Sequence, residues 1–189
     1  EVLAVSPDFK ITRLETIDKI INSNKNIVVT NLMGYLRFLP SKELFKDNYV
    51  CLEKNMNINP IDLIKKLYKI GYSKEVLVNR SGEMAIRGFV IDLYPINFIN
   101  PIRIEFWGDQ IESIRYFDVD TQRTIDEVSY VSILPNTEFL TNKDIEIDCK
   151  HYELPNYEKV INISSYMENC MIIYNNKNEL DTAIALLKN

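Results

Sequence analysis

The sequence predicts a mixed α/β protein in three parts. Residues 1–48 read as part of an α/β domain of nucleotide-binding type. Residues 49–135 read as a small β-rich α+β domain with a largely antiparallel sheet, and 136–189 as a remainder ending in a strand and a helix. Two observations carry this. A helix, a short apolar run and a second helix follow one another in the first 48 residues, which is the rhythm of a parallel sheet covered by helices. After residue 70 the apolar period falls to two, and turn residues recur at short intervals.

Taken in order, 8–24 place Phe9, Ile11, Leu14, Ile17, Ile20 and Ile21 at helical spacing, with Asp8 after Pro7 as the start. NIVVT at 26–30 reads as a buried strand, and 32–39 as a helix stopped by Pro40. Asn59 and Pro60 form an N-cap and first-turn pair. They open a helix to about residue 70 with Ile61, Leu63, Ile64, Leu67 and Tyr68 as its apolar face, and Gly71 stops it. Strands are expected at 75–79, 84–94, 101–107 and 110–117, with a fifth at 126–134 ended by Pro135. Within 84–94 the alternation breaks, because Met84 and Ile86 lie on one face and Phe89, Ile91 and Leu93 on the other. A β-bulge at Gly88 accounts for that break and re-aims Arg87. In the tail, 170–175 (CMIIYN) reads as a strand and 177–188 as a helix.

The segment 80–123 follows a rule of its own. The chain holds 15 Lys and 7 Arg, yet this segment has five of the Arg and no Lys. Arg offers a rigid planar fork suited to bidentate pairing with carboxylates, whereas Lys is a mobile point charge. Ile102, Ile104 and Phe106 alternate with Arg103, Glu105 and Trp107, and a tight Gly108–Asp109 turn leads into the next run. Side chains two apart share a strand face. The three apolar residues should therefore be buried, and Arg103, Glu105 and Trp107 should stand together on the other side, the only Trp beside an ion pair. Trp and Arg are enriched at interface hot spots. Pattern alone leaves open a second reading, in which Trp107 packs beneath a loop and Arg103–Glu105 is a solvated pair.

GEMAIRG at 82–88, VIDLYP at 90–95, PIRIEFWGDQIESIR at 101–115 and FDVDTQRT at 117–124 closely resemble the UvrB-like module of the bacterial transcription-repair coupling factor family. The similarity runs in order from about Val2 to Phe139 and is strongest over 71–139. It implies a degenerate ATPase-like (P-loop-type) domain, whose first strands would precede Glu1, and a β-domain that docks onto UvrA through arginines and an acid. Carried over motif by motif, the partner-binding residues are Arg87 of the GExxxRG signature, Arg103 and Glu105 of the PxRxEF signature, and Trp107, where the family usually has Phe. On this reading the chain is a non-catalytic fragment that recruits UvrA in transcription-coupled nucleotide excision repair. RNA polymerase, DNA and the ATP-driven motor belong to other parts of the parent protein. The family usually carries a longer helix-rich stretch where this chain has 136–170. The alternatives are a fragment of UvrB, whose ATPase site would lie upstream, and a DNA-binding module.

Composition narrows the chemistry. A phosphate-cradling loop needs a Gly-Lys pair, and the five Gly are followed by Tyr, Tyr, Glu, Phe and Asp. The only His, His151, has no GxSxG elbow to serve. Cys51, Cys149 and Cys170 lack the spacing of a zinc site or disulfide framework. Asp118 and Asp120 read as turn residues before metal ligands. No catalytic residue, cofactor or metal is expected. Net charge is −5, and 80–123 carries seven acids against five Arg, an alternating pattern that suits a protein partner better than a phosphate backbone. No apolar run spans a membrane and no leader signal opens the chain, so the expected location is the cytoplasm. The start at Glu1 without Met suggests a piece of something longer. Arg103→Ala is expected to weaken partner binding while leaving the thermal midpoint nearly unchanged.

Overall fold

A computed structural model of the chain describes residues 7–23, 25–31, 34–35, 39–140, 163–167, 178 and 181. Helix α1 (Pro7–Asn22) turns Leu14, Ile17, Ile20 and Ile21 inward, while Phe9, in its first turn, is exposed. The buried strand expected at 26–30 is not formed. Residues 25–31 have no regular structure, and Ile27 and Val29 are 96% and 92% exposed. A strand is covered only where neighbours complete its ladder and its faces, and no described strand pairs with this run. Of the helix expected at 32–39, Gly34 and Tyr35 are helical, and most of the rest lies outside the described residues. The strand at 170–175 also falls outside them, as does all of the helix at 177–188 except Asn178 and Asp181, both helical.

A short helix that the sequence pattern did not reveal follows. In α2 (Lys42–Asp47) the Ser41 hydroxyl accepts the Leu44 N–H at 3.1 Å, and Phe45 is buried. Strand β1 (Val50–Glu53) comes next, then α3 (Pro60–Lys69). There the Asn59 carboxamide accepts the Ile61 N–H and Pro60 opens the first turn. The α3 core stripe is Leu63, Leu67 and Ile70, with Ile64 partly covered, whereas Ile61 and Tyr68 are exposed. Tyr68 follows Leu67 by one residue, about 100° around the helix, and Ile61 shares its flank from seven residues back. The apolar face is thus narrower than the sequence pattern suggested.

Among the described residues the main sheet has six strands in the order β2 (Ser73–Lys74), β3 (Glu83–Arg87), β4 (Val90–Leu93), β5 (Ile102–Trp107), β6 (Gln110–Phe117) and β7 (Thr124–Glu127). All neighbours are antiparallel except β2 and β3. The single strand expected at 84–94 is a hairpin. Arg87 pairs with Val90 across the two-residue turn Gly88–Phe89, so there is no bulge at Gly88. Gly88 has φ +60 and Phe89 a negative φ, the pattern of a turn needing a left-handed residue only at its first central position. The face switch between Ile86 and Phe89 is therefore chain reversal. Irregularities in register do occur, one between Glu105 and Phe106 of β5 against β6, the other between Tyr116 and Phe117 against β7.

The strand expected at 75–79 is not formed; the two-residue β2 precedes it, and 75–79 is a loop held by Glu83, whose carboxylate accepts the Asn79 and Arg80 N–H groups at 2.7 and 2.9 Å. The run at 126–134 splits. Thr124–Glu127 stays in the main sheet, and β8 (Tyr130–Ile133) pairs with β1 in a separate two-stranded ribbon. One cluster of buried apolar side chains links α1 (Leu14, Ile17), α2 (Phe45), the ribbon (Leu52, Ile133), α3 (Leu63, Leu67) and the inner sheet face (Ile91, Ile102, Ile104). Among the described residues no helix is long and apolar enough to cross a membrane.

Asn136 ties the end of α3 to the turn at Gly82. Its N–H donates to Ile70 O and its Nδ2 to Gly71 O, while a Cβ on Gly82 would sit 2.5 Å from that Nδ2, at φ +92. Gly82→Ala is expected to lower unfolding free energy by about 2–3 kcal/mol, combining left-handed strain with the clash. Gly108→Ala has the strain alone, since nothing lies within 4 Å of its Cβ, and should cost about 1 kcal/mol. Urea titration of both variants checks the ranking.

Candidate protein-interaction face

Two rows of side chains cross the sheet on the face away from the main core. Register aligns Ala85, Asp92, Arg103, Arg115 and Glu127 in one row, and Arg87, Val90, Glu105 and Ser113 in the next. The predicted alternation of β5 holds. Ile102, Ile104 and Phe106 are buried, Arg103 and Glu105 are partly exposed, and Trp107 is 77% exposed.

Asp92 organises the rows. Its carboxylate is 1% exposed and accepts the Arg103 fork, Nε on Oδ1 at 2.7 Å and Nη2 on Oδ2 at 3.0 Å. Arg87 Nη2 pairs with the same Oδ2. A carboxylate this buried persists because charge-assisted hydrogen bonds replace its water. Two further groups hold Arg103: the Gln122 carboxamide oxygen accepts from Nη2 at 3.2 Å, and the guanidinium carbon lies 4.6 Å from the centroid of the buried Phe117 ring. Hydrogen bonding to Asp92 raises the Arg103 pKa above the usual arginine value, against the opposing effect of burial.

Arg115 stands directly opposite Arg103, a like-charge pairing that is unfavourable by itself. Acids on both sides offset it. Arg115 pairs with Glu105, Glu105 also accepts the Ser113 hydroxyl at 2.9 Å, and at the rim Lys54 meets Glu127 at 2.7 Å. Beside this network lies an open concavity of about 350 Å³ lined by Leu77, Arg87, Val90, Arg103, Glu105 and Gln122.

Three of the four residues singled out from sequence, Arg87, Arg103 and Glu105, thus line one concavity. Trp107 is next on the same strand face but is not part of the lining. The expected Arg103–Glu105 pair does not form. Arg103 is taken instead by Asp92, directly opposite it on β4, and Glu105 by Arg115, diagonally across on β6. The expectation that Arg103→Ala spares stability falls for the same reason, since Arg103 already serves a buried carboxylate. Sequence reasoning missed Asp92, Arg115 and Gln122 as members of the site. Asp92 had a signal, an acid between Ile91 and Leu93 in an apolar run. Among the described residues no cluster of His, Cys, Asp and Glu is arranged to hold a metal.

This sheet, with its arginine-and-carboxylate face, falls in the part of the chain, residues 50–139, that matches the family model of the UvrB interaction domain. Over those residues the chain resembles that family. It is also similar to curated proteins named transcription-repair-coupling factor. The identity is 34% with that of Bacillus subtilis (strain 168), 33% with that of Staphylococcus haemolyticus and 31% with that of Staphylococcus epidermidis, each over 140 residues. These alignments take in 74% of this chain and 12% of each relative. The chain thus matches about an eighth of the length of those proteins. The resemblance read from the motifs stands.

Proposed function

We propose that this chain is part of a transcription-repair coupling factor and that its β-domain docks UvrA. It does no chemistry itself. ATP-driven movement on DNA and contact with RNA polymerase fall to other parts of the parent protein, and the whole acts in the bacterial cytoplasm. The matched region is an interaction domain, which fits this division of labour. The alternative, a fragment of UvrB, is not favoured by relatives that are coupling factors. The observation that carries the reading is the concavity in which Arg87, Arg103 and Glu105 meet, with Trp107 exposed beyond it. Paired charges there are held in place before any partner arrives, which lowers the ordering cost of binding.

Titrating UvrA into the chain at physiological salt tests this. Wild type should bind. Trp107→Ala should weaken binding roughly tenfold, about 1.4 kcal/mol. Because the ring is 77% exposed, its removal should leave the thermal midpoint where it was. No binding by folded wild-type chain, or equal binding by Trp107→Ala and wild type together with Arg103→Ala, would overturn the reading.

A further inference from the structure

Resting on the docking reading above, we infer that Gln122 is a positioning residue: it fixes the plane of the Arg103 guanidinium so that its Nη1 edge faces the incoming partner. Of the five N–H groups of Arg103, Nε–H and both on Nη2 are committed, to Asp92 and Gln122. Among the described residues no acceptor meets Nη1. That edge is left for an oxygen acceptor of the partner, a carboxylate or a main-chain carbonyl.

Gln122 is itself held on every side. Its Oε1 accepts from Arg103, its Nε2 donates to Val119 O at 2.8 Å, and its N–H donates to Asp118 O at 2.8 Å. The Asp118 carboxylate accepts the Thr121 N–H and hydroxyl at 2.8 and 2.7 Å, and the Asp118 N–H closes the loop onto Arg123 O. The carboxamide accepts from the guanidinium and donates to a carbonyl at once, which neither a carboxylate nor an apolar side chain can do. The backbone supplies a second indication. Gln122 has φ +59, a left-handed conformation that a non-glycine side chain enters at a cost. Glycine would relieve that strain, and Gly88 and Gly108 adopt the same φ. A glutamine kept in glycine's conformation, with both ends of its amide engaged, is there for what the amide holds.

Gln122→Gly separates orientation from folding, because it removes the carboxamide and suits the backbone. The thermal midpoint should stay at or above that of wild type. In nitrogen-proton NMR spectra the Arg103 guanidinium signals should broaden as its rotation speeds up. UvrA affinity should fall by about fivefold, and in an Arg103→Lys background the same change should have no further effect on affinity. Gln122→Glu, which keeps the acceptor, should recover most of the affinity. Unchanged Arg103 signals, or UvrA affinity equal to wild type while Arg103→Ala loses binding, would overturn the assignment. Failure of the wild-type chain to bind UvrA would overturn the docking reading instead, and the NMR comparison would still decide whether Gln122 orients Arg103.

Discussion

Asp92→Ala is expected to lower the stability of the chain by about 3 kcal/mol, the largest single effect among the residues of this face. Removing one member of a buried ion cluster strands the others, and such losses run to about 3–5 kcal/mol. The lower end applies here. Arg87 is half exposed and can turn to water, whereas Arg103, 20% exposed over a buried ring, loses both bonds of its fork. At this chain length about 3 kcal/mol corresponds to roughly 6–12 °C in the thermal midpoint. Asp92→Asn keeps the shape and one acceptor and should fall between. Midpoints within a degree of wild type for Asp92→Ala would show that the carboxylate does not hold the arginines. A cluster of this kind is weak evidence for stability as such, because an apolar replacement of the whole set is often neutral. Its use here is to hold two arginine forks in fixed positions beside an open concavity.

Arg103→Ala carries the largest expected effect on binding. Truncating a charge that is desolvated at an interface costs about 2–5 kcal/mol, or roughly 30-fold to several thousand-fold in affinity for UvrA. Stability should fall too, by about 1–3 kcal/mol, because Asp92 keeps only Arg87. The titration therefore belongs well below the midpoint of the variant, with folding checked by circular dichroism. Arg103→Lys restores a charge for Asp92 but not the second bond of the fork, nor the flat contact with Phe117. It should regain stability more fully than affinity. Equal affinity for wild type and Arg103→Ala would remove this residue from the interface. A loss of affinity that tracked only the unfolded fraction would make its role structural.

The sequence by itself determined what depends on near neighbours along the chain. The Asn59–Pro60 start of α3, the Gly108–Asp109 turn, the burial of Ile102, Ile104 and Phe106 and the place of Trp107 on the opposite strand face were all legible. Each follows from a short-range rule of capping, turn geometry or side-chain alternation. The motifs from 82 to 124 by themselves carry the resemblance to the coupling factors. Tertiary structure alone decided everything that depends on which strand lies beside which. Alternation put Arg103 and Glu105 on one face but could not say that Asp92 and Arg115 would flank Arg103 on the neighbouring strands, and the pairing went across the strands. It flagged a break at Gly88 but could not tell a bulge from a reversal, since both switch the face and only the register of Arg87 with Val90 separates them. NIVVT shows the same limit from the other side. Its composition suits a buried strand, yet burial is conferred by neighbours, and no described strand pairs with it.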